Sequence, residues 1–351
     1  MSNADRANAA GGNVTGKTEL GFALIGCGGM GRSEARILAQ VPRARLVAVC
    51  DVAEPAAREF GAEMGVPALT DHHAALARPD VDAVMVATPN GLHTQIVLDA
   101  AADKKHVFCE KPFAFTVAEC DAMIAAAQRN GIKLMVGHVL RLLPLFQRVI
   151  DIFDSGVLGK PVAAQITRLG WLGDPKARYR LRKALTGGLL YDITVHEIDL
   201  LHRLCGPTQS VYALLDNHVH KQIDYEDMAQ IQLRFKSGAS AHLFASLASP
   251  IGTSTGTIIG DQGTLRYDHG AGQLTYRRAG AGTGEGQEAV QETVTRADGE
   301  NGYLRELRSF TEWVLDGTAP ILTAREGRAA IQVAEAAYRS AETGQPVTIE
   351  D

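Results

Sequence analysis

The sequence predicts an α/β protein in which an N-terminal doubly wound parallel sheet precedes a C-terminal α+β domain with a large, mostly antiparallel open sheet. Predicted strands and helices alternate through the first part of the chain, which is typical of a parallel sheet covered on both faces. After residue 142 several strands instead follow one another through short turns such as Lys236-Ser-Gly238. A length of 351 residues agrees with two domains. We expect a flexible tail over residues 1–18, a first domain over 19–141 and a second over 142–351, of which a C-terminal helix can pack back on the first.

The composition excludes several classes of protein. Lys and Arg total 35 and Asp and Glu total 40, so the formal net charge is −5 and gives no reason to expect nucleic acid or an anionic membrane as partner. No run approaches the ~18 apolar residues of a membrane span, and the polar start lacks the apolar core of an export signal. The 5 cysteines form no C-x-x-C pair, which argues against a disulfide framework and structural zinc. We expect a cytoplasmic protein.

A glycine-rich turn follows the first predicted strand. The apolar run Leu20–Ile25 leads into Gly26-Cys-Gly28-Gly-Met-Gly31, and a helix is predicted over 32–41. In this pattern Gly26 permits the tight turn, Gly28 lets a pyrophosphate approach the backbone, and Gly31 lets the helix pack closely on the strand. The helix start offers free N–H groups and a positive dipole end to phosphates. The segment therefore predicts a nucleotide-binding turn.

An acidic residue ends the second predicted strand. Asp51 follows the strand 44–50, roughly 20 residues after the glycine turn, where a carboxylate can accept hydrogen bonds from a ribose diol. A carboxylate there repels a 2′-phosphate, whereas a guanidinium such as that of Arg32 tolerates one. Strand, glycine turn, helix, strand and acid together predict a Rossmann domain that binds NAD, with NADP less favoured.

The rest of the first half continues the alternation. Helices are predicted over 58–64, 93–102 and 117–130, and strands over 81–87, 105–109 and 133–136. Ligands of a doubly wound sheet lie beyond the carboxyl ends of its strands. One crevice can therefore collect the residues that follow the strands, namely Asp51, Thr88, Pro89, Asn90, Glu110, Lys111 and His138.

The second half contains a predicted helix with a candidate chemical group. The helix runs over 189–204, and Asp192, His196 and Asp199 share one of its faces at spacings of four and three residues. The imidazole is either a partner in a hydrogen bond on the helix surface or an acid–base group, since it titrates near neutrality. A metal site that adds His202 is disfavoured because its spacing from His196 suits one helical face poorly. We expect no metal.

The remaining elements of the second half are strands and two closing helices. The strands are predicted over 211–216, 228–235, 239–246, 257–259, 263–267 and 273–278, and the helices over 302–315 and 324–342. A basic run, Lys176–Lys183, precedes the helix that carries His196. This run is either a solvated loop or a recognition site for an anionic substrate.

Three motifs, taken in order, resemble those of the Gfo/Idh/MocA oxidoreductase family. They are Ala87-Thr-Pro-Asn-Gly-Leu-His93, Val107-Phe-Cys-Glu-Lys-Pro112 and Asp192-Ile-Thr-Val-His196-Glu-Ile-Asp199. The resemblance covers nearly the whole chain after the tail. It implies an NAD(P)-dependent oxidoreductase that transfers a hydride between nicotinamide and a secondary alcohol of a sugar, sugar derivative or inositol. It also implies a small polyhydroxylated substrate and pairing through the second domain into a homodimer or homotetramer.

The resemblance implies roles for individual residues. Lys111 corresponds to the lysine that contacts the nicotinamide ribose and the reacting hydroxyl, and Asp192 and His196 to the pair that holds the substrate and exchanges its proton. Arg141 is the one match in a segment where inositol dehydrogenases show an arginine pair followed by tyrosine, so the identity of the substrate stays open. The expected catalytic residues are Lys111, Asp192 and His196, and these with Arg141 bind the substrate. The expected cofactor-binding residues are Gly26, Gly28, Gly29, Met30, Gly31, Asp51, Thr88, Pro89, Asn90, His93, Glu110 and Lys111.

Two alternatives and one local feature accompany this interpretation. A glycosidase that uses tightly held NAD would oxidise and later reduce its substrate without net NADH. A cofactor-binding regulator without catalysis is the other alternative, and the intact Lys111, Asp192 and His196 argue against it. The tight turn of the second motif also predicts a cis bond before Pro112.

Overall fold

The structure is a computed structural model that describes residues 16–172, 178–280, 288–295 and 298–350. Most of the predicted tail, residues 1–15, therefore lies outside the described residues. The chain divides into two compact units. The first unit comprises the described residues up to His138 together with Gly302–Arg328, and the second comprises Val139–Asn301 and the chain from Ala329 onward.

The first unit is a doubly wound parallel sheet, which confirms the predicted fold class. Its six strands lie in the order β3-β2-β1-β4-β5-β6, and every pairing is parallel. The strands are β1 Leu20–Ile25, β2 Ala44–Cys50, β3 Ala68–Leu69, β4 Ala83–Val86, β5 His106–Glu110 and β6 Leu134–Gly137. The helices between them are α1 Gly29–Leu38, α2 Glu54–Met64, α3 His72–Leu76, α4 His93–Ala102 and α5 Val117–Asn130.

Two element boundaries differ from the prediction in ways that matter for the sheet edge. Helix α1 begins at Gly29 rather than Arg32, because the glycines after Gly28 adopt helical backbone angles. Strand β5 extends to Glu110, whose backbone pairs with Gly137 on β6. The glycine turn therefore includes the first turn of a helix, and Glu110 is held by the sheet.

A helix from the C-terminal half of the sequence completes the first unit. This helix, α9, spans Gly302–Asp316, and the ring of Phe310 lies 5.9 Å from that of Phe22 on β1 and 6.0 Å from that of Phe108 on β5. Aromatic pairs at these separations contribute to packing beyond the area that they bury. The core of the parallel sheet therefore includes a segment far away in sequence.

The second unit contains a nine-stranded mixed sheet. The strand order is β14-β13-β12-β11-β7-β10-β9-β8-β15, and only the pairing of β10 with β7 is parallel among the pairings described. The strands are β7 Pro161–Trp171, β8 Thr208–Asp216, β9 Met228–Phe235, β10 Ser240–Ser246, β11 Ala248–Gly260, β12 Gly263–Asp268, β13 Gln273–Arg278, β14 Val290–Thr293 and β15 Val347–Thr348. The helices are α6 Pro144–Asp154, α7 Lys183–Thr186 and α8 Val195–Cys205, and α10 Ala324–Thr343 belongs to the second unit from Ala329 onward.

Strand β7 was not predicted from the sequence, although it lies at the centre of the second sheet. Ala164 and Ile166 are buried on one face of β7, while Gln165 and Thr167 lie on the other. The apolar run is short and is followed by Arg168 and Gly170, so local alternation alone does not indicate an 11-residue strand. Its position depends on pairing with β10 and β11, which come more than 70 residues later.

One face of the nine-stranded sheet is buried and the other is open in the second unit. Alternate side chains such as Ile231, Leu243 and Ile258 are fully buried on the first face. On the opposite face Leu214 and Ile259 are 48% and 43% exposed.

Among the described residues, no helix combines the length and the apolar character that crossing a membrane requires.

Candidate active site

The glycine turn after β1 combines two tightly packed glycines with two open ones. A Cβ atom on Gly26, whose φ is +103°, would lie 2.5 Å from the carbonyl oxygen of Ala87, and one on Gly31 would lie 2.0 Å from that of Gly26. Side chains are therefore excluded at both positions. A Cβ on Gly28 or Gly29 would meet nothing within 4 Å. The turn leaves backbone open to a ligand at the positions where the sequence predicted the approach of a pyrophosphate.

The start of α1 faces the same place. Gly28 is the N-cap and the helix begins at Gly29, so the first N–H groups of α1 belong to Gly29, Met30 and Gly31. Unpaired N–H groups and the positive end of the helix dipole make such a start suitable for phosphate. The predicted cofactor-binding glycines and Met30 therefore form one continuous segment.

Asp51 is tied to this turn by its own hydrogen bonds. Its Oδ2 accepts the N–H of Cys27 at 2.8 Å, and its Oδ1 accepts the N–H of Ala53 at 2.8 Å. A carboxylate has about four acceptor positions, so both oxygens keep capacity for a ribose diol. Arg32 donates to the carbonyl of Cys27 and to Glu59 at 2.9 Å, so its guanidinium is engaged on the protein.

The segment after β4 presents one unpaired polar atom. The Thr88 Oγ1 is buried without a hydrogen-bond partner among the described residues, as expected of a group that awaits a ligand. Pro89 precedes a short 3₁₀ helix, Asn90–Leu92, and Asn90 is buried.

His93 has a different role from the predicted one. Its ring is 1% exposed, and its Nδ1 and Nε2 lie 2.9 Å and 3.1 Å from the carbonyl oxygens of Pro112 and Thr88. Neither ring nitrogen is available to a ligand because both face backbone carbonyls. The residue joins the loop after β4 to the loop after β5, so we revise its role from cofactor contact to support of these loops.

The loop after β5 carries Lys111 on a constrained turn. Glu110 Oε2 accepts the N–H of Lys111 at 3.0 Å, and the Lys111–Pro112 peptide bond is cis, as the motif predicted. A Cβ on Gly137 of the neighbouring strand would lie 2.9 Å from Glu110 Oε1, so this position excludes a side chain. Glu110 is buried, whereas Lys111 is half-buried. The parallel sheet thus brings the glycine turn, Asp51, Thr88 and Lys111 to the carboxyl ends of neighbouring strands.

Two buried acidic residues near Glu110 were not identified from the sequence. Glu34 on α1 and Glu306 on α9 are fully buried, and their carboxylates lie close to that of Glu110. Both occupy apolar helix faces, with Gly31, Ala35 and Leu38 around the first and Leu307 and Phe310 beside the second. A glutamate on an apolar helix face indicates a buried acid, and this sequence pattern could have identified both residues.

In the second unit the predicted single helix is interrupted. Residues Leu190–Thr194 form a π-helical turn, and α8 begins only at Val195. Asp192 lies in the π turn and His196 in the first turn of α8, so the prediction of one regular helix over 189–204 is wrong at its start. A π turn places more residues in each turn, and such turns occur frequently at functional sites.

Asp199 forms a buried ion pair with Arg141. The Arg141 Nε donates to Asp199 Oδ2 at 2.8 Å, and a second guanidinium nitrogen contacts Oδ1. The two side chains are 5% and 1% exposed. Two of the five N–H donors of Arg141 therefore bind Asp199 on α8. The contact of Arg141 with substrate stays a prediction, and the remaining donors would have to make it.

The described part of the basic run lies beside acidic groups. Arg180 Nε is 4.0 Å from Asp192 Oδ2, Arg182 lies 3.8 Å from Asp224, and Lys183 lies 3.6 Å from Glu226. Residues 173–177, including Lys176, lie outside the described residues. The described cations of this run therefore balance protein carboxylates.

A cavity of about 330 Å³ lies in the second unit next to the π turn. Its lining includes Ile193, Arg168, Asp268 and the aromatic residue Trp171, which is 52% exposed. A space of this size, with one aromatic side chain and a few polar groups, matches the smaller ligand pockets of proteins. The sequence analysis did not identify Trp171, because β7 was not predicted.

Comparisons with known proteins cover almost the whole chain. Residues 20–138 match the model of an oxidoreductase family with an NAD-binding Rossmann fold, and residues 152–349 match the C-terminal alpha/beta domain of the same oxidoreductase family. The myo-inositol 2-dehydrogenase of Thermotoga maritima is 30% identical over 93% of this chain and 98% of its own length. The NAD⁺-dependent scyllo-inositol 2-dehydrogenase of Bacillus subtilis is 29% identical over 93% of this chain and 96% of its own length.

A solved structure shows the same architecture. An oxidoreductase from Agrobacterium radiobacter, in complex with NAD⁺, L-tartaric acid and magnesium, superposes with a TM-score of 0.84 at 25% identity. The likeness covers 95% of this chain and 99% of that one.

Proposed function

The chain belongs to the Gfo/Idh/MocA oxidoreductase family, and we propose that it is an NAD-dependent dehydrogenase acting on a secondary alcohol of a sugar, sugar derivative or inositol. The observation that carries the proposal is the glycine turn, which opens backbone N–H groups to a ligand at Gly28 and Gly29 while Lys111 follows a strand of the same sheet. When bound, NAD supplies the hydride acceptor, and the protein supplies binding, orientation and charge.

NAD is the preferred form of the cofactor in this proposal. The start of α1 suits the pyrophosphate, the unpaired Thr88 Oγ1 offers a further contact, and Asp51 suits the ribose diol. The engagement of Arg32 with Glu59 and the carbonyl of Cys27 weakens the argument for a bound 2′-phosphate.

Three side chains have roles in the proposed mechanism, namely acceptance of a proton, stabilisation of charge and orientation of the substrate. His196 accepts the proton of the reacting hydroxyl, since imidazole can exchange protons near neutral pH. The Lys111 ammonium stabilises the developing alkoxide. Asp192 orients the substrate and the imidazole. Positioning of the reacting carbon supplies most of the remaining acceleration.

A neutral polyol is the substrate class that we propose. The described cations of the basic run already lie beside Asp192, Asp224 and Glu226, which weakens the alternative of an anionic substrate. The exposed indole of Trp171 beside the π turn offers an apolar face to a sugar ring. The names of the inositol dehydrogenase relatives point in the same direction.

The experiment measures NADH formation from NAD⁺ with a panel of inositols, aldoses, anhydrosugars, glycosides and sugar acids. Steady accumulation of NADH with at least one neutral polyol is the expected result. Release of a free sugar from a glycoside without net NADH would indicate the glycosidase instead. Binding of NAD⁺ with no turnover of any panel member would indicate a regulator.

The open face of the second sheet also leads us to propose a homodimer or homotetramer. The exposed Leu214 and Ile259 lie on this face, and exposed apolar side chains favour association when a second copy covers them. We also propose that the protein lies in the cytoplasm, since all five cysteines are buried and none forms a disulfide, as is usual in a reducing compartment.

A further inference from the structure

Three buried carboxylates of the first unit form a group that we call the carboxylate cluster: Glu34 on α1, Glu110 at the end of β5 and Glu306 on α9. One oxygen from each lies within 4.8 Å of the others. Glu34 and Glu306 are 0% exposed and Glu110 is 5% exposed. Carboxylates are seldom so deeply buried unless they are paired, so the cluster requires an explanation.

No donor from another described residue reaches most of these oxygens. Both oxygens of Glu34, both of Glu306 and Oε1 of Glu110 are buried without such a partner, while Oε2 of Glu110 accepts the N–H of Lys111. Three negative charges at this separation in a desolvated site would repel one another strongly. The cluster must therefore hold protons or a cation.

Two neighbouring titratable groups in the described part of the chain, Cys109 and His93, supply no positive charge to the cluster. Burial raises the pKa of the Cys109 thiol and lowers the pKa of His93, so both groups favour their neutral forms. The charges that act on Glu34 are those of Glu110 and Glu306, and the charge that acts on Glu306 is that of Glu110. Protons are thus the simplest source of neutralisation.

We propose that Glu34 and Glu306 are neutral carboxylic acids that donate hydrogen bonds to an ionised Glu110 and thereby position the turn that carries Lys111. Burial, together with the neighbouring carboxylate of Glu110, raises the pKa of Glu34 and of Glu306 well above the usual 4.5. One charge shared among three carboxyl groups satisfies donors and acceptors at once, as in other carboxylate pairs that share a proton.

The consequence for Lys111 follows from the hydrogen bonds of Glu110. Its Oε2 holds the N–H of Lys111, and its Oε1 lies against the backbone of Gly137, which has no side chain to displace it. Glu34 and Glu306 are positioning residues, since they act on Lys111 only through Glu110. This inference rests on the proposed function of Lys111 and adds Glu34 and Glu306 as residues that support its loop.

A dependence of stability on pH follows with a definite sign. The folded state holds protons on Glu34 and Glu306 that the unfolded chain releases near pH 4.5, because their pKa values are raised on folding. The stability that they contribute is therefore complete below that pH and is lost as the pH rises above it. Glutamine has nearly the shape of a protonated glutamate and cannot ionise, so it removes this loss.

The test uses the full chain with Glu34→Gln, Glu306→Gln and the double variant. Glu312→Gln is the matched control, because Glu312 lies on the same helix α9 but is 46% exposed. The infrared spectrum at neutral pH should contain the carbonyl band of protonated carboxylic acids, which decreases in each glutamine variant and persists in the control. Thermal midpoints should show the double variant gaining over the wild type as the pH is raised from about 5 to about 9.

Hydrogen exchange tests the link to Lys111 without any substrate. The peptide that contains the Lys111 amide should keep its protection in the glutamine variants. It should exchange about tenfold faster in Glu34→Leu/Glu306→Leu, which removes both donors; tenfold corresponds to one hydrogen bond of ordinary net strength. If the leucine variant does not fold, the infrared and glutamine results still decide the inference.

Three outcomes would overturn the inference. They are the absence of a protonated-carboxyl band, glutamine variants that lose stability or protection of Lys111, and a stoichiometric divalent cation in the purified wild type that the glutamine variants lack. The last outcome would assign a metal site to the cluster instead. Failure to form NADH with the panel, alongside the expected infrared and exchange results, would count against the proposed function and leave the cluster intact.

Discussion

At the scale of single residues, the proposed mechanism depends on the ammonium of Lys111 and the imidazole of His196. We expect Lys111→Ala and His196→Ala each to lower kcat by on the order of 10² or more on the polyol that the panel identifies, because each removes charge stabilisation or proton exchange in the transition state. Steady-state NADH formation measures the effect. Lys160→Ala and His218→Ala are the matched controls, since both residues are exposed on the second unit. Near-normal turnover in both active-site variants would refute the assigned roles.

In the proposed function, the carboxylate of Asp51 sets the preference for NAD. Asp51→Ser should lower kcat/KM for NAD⁺ by about ten- to hundredfold, because it removes hydrogen bonds to a charged acceptor. It should also lower the ratio of kcat/KM for NAD⁺ to kcat/KM for NADP⁺. The serine hydroxyl can still accept the N–H of Cys27, which limits damage to the turn. Kinetics with both cofactors provide the measurement, and Asp103→Ser, at an exposed position of the same unit, is the control. An unchanged ratio of the two cofactors would contradict the role of Asp51.

At the scale of elements, the buried Arg141–Asp199 pair joins α8 to the 3₁₀ segment Val139–Leu142. Arg141→Met should lower the free energy of unfolding by roughly 3–5 kcal/mol, because it removes the cationic partner of the buried Asp199 carboxylate. Arg141→Met/Asp199→Leu should recover most of this loss, since apolar side chains then replace both members of the ion pair. Denaturant unfolding, with unchanged m-value, is the measurement.

A surface ion pair on the same helix controls for the buried one. Arg203 on α8 pairs with Asp154, and the two side chains are 36% and 52% exposed. Arg203→Met should therefore change stability by less than about 1 kcal/mol. If Arg141→Met has an equally small effect on stability but raises KM for the polyol, Arg141 binds substrate and its pairing with Asp199 contributes little.

At the scale of the whole molecule, association should depend on the open face of the nine-stranded sheet. Leu214→Arg/Ile259→Arg places two charges on this face and should shift sedimentation from dimer or tetramer to monomer, because desolvating unpaired charge opposes association. Val219→Arg is the control, since Val219 is a similarly exposed apolar residue in a loop outside the strands. A wild type that sediments as a monomer would refute the proposed assembly.

Local signals in the sequence were sufficient for the fold class and for the clustering of several expected cofactor-binding residues at one edge of the sheet. Glycines at the turn after β1, an acid after β2 and the Glu110-Lys111-Pro112 turn after β5 are short-range features, and parallel strands bring their carboxyl ends to one edge. Their positions along the chain therefore predicted their neighbourhood in the first unit. Helix α1 was predicted three residues too short at its start, because glycines are ordinarily poor helix formers.

Other features came from contacts between segments that are distant in sequence. Three such contacts join residues more than 50 positions apart. They are the pairing of β7 with β10, the ion pair of Arg141 with Asp199, and the cluster of Glu34, Glu110 and Glu306. The π turn at Asp192 interrupts a pattern that reads locally as one regular helix. Periodicity and turn residues report on neighbours along the chain, whereas burial and the protonation of a buried acid depend on which remote segments exclude water. For this protein the chain order of motifs therefore sufficed to predict dehydrogenase chemistry, and folding alone decided which side chains support it.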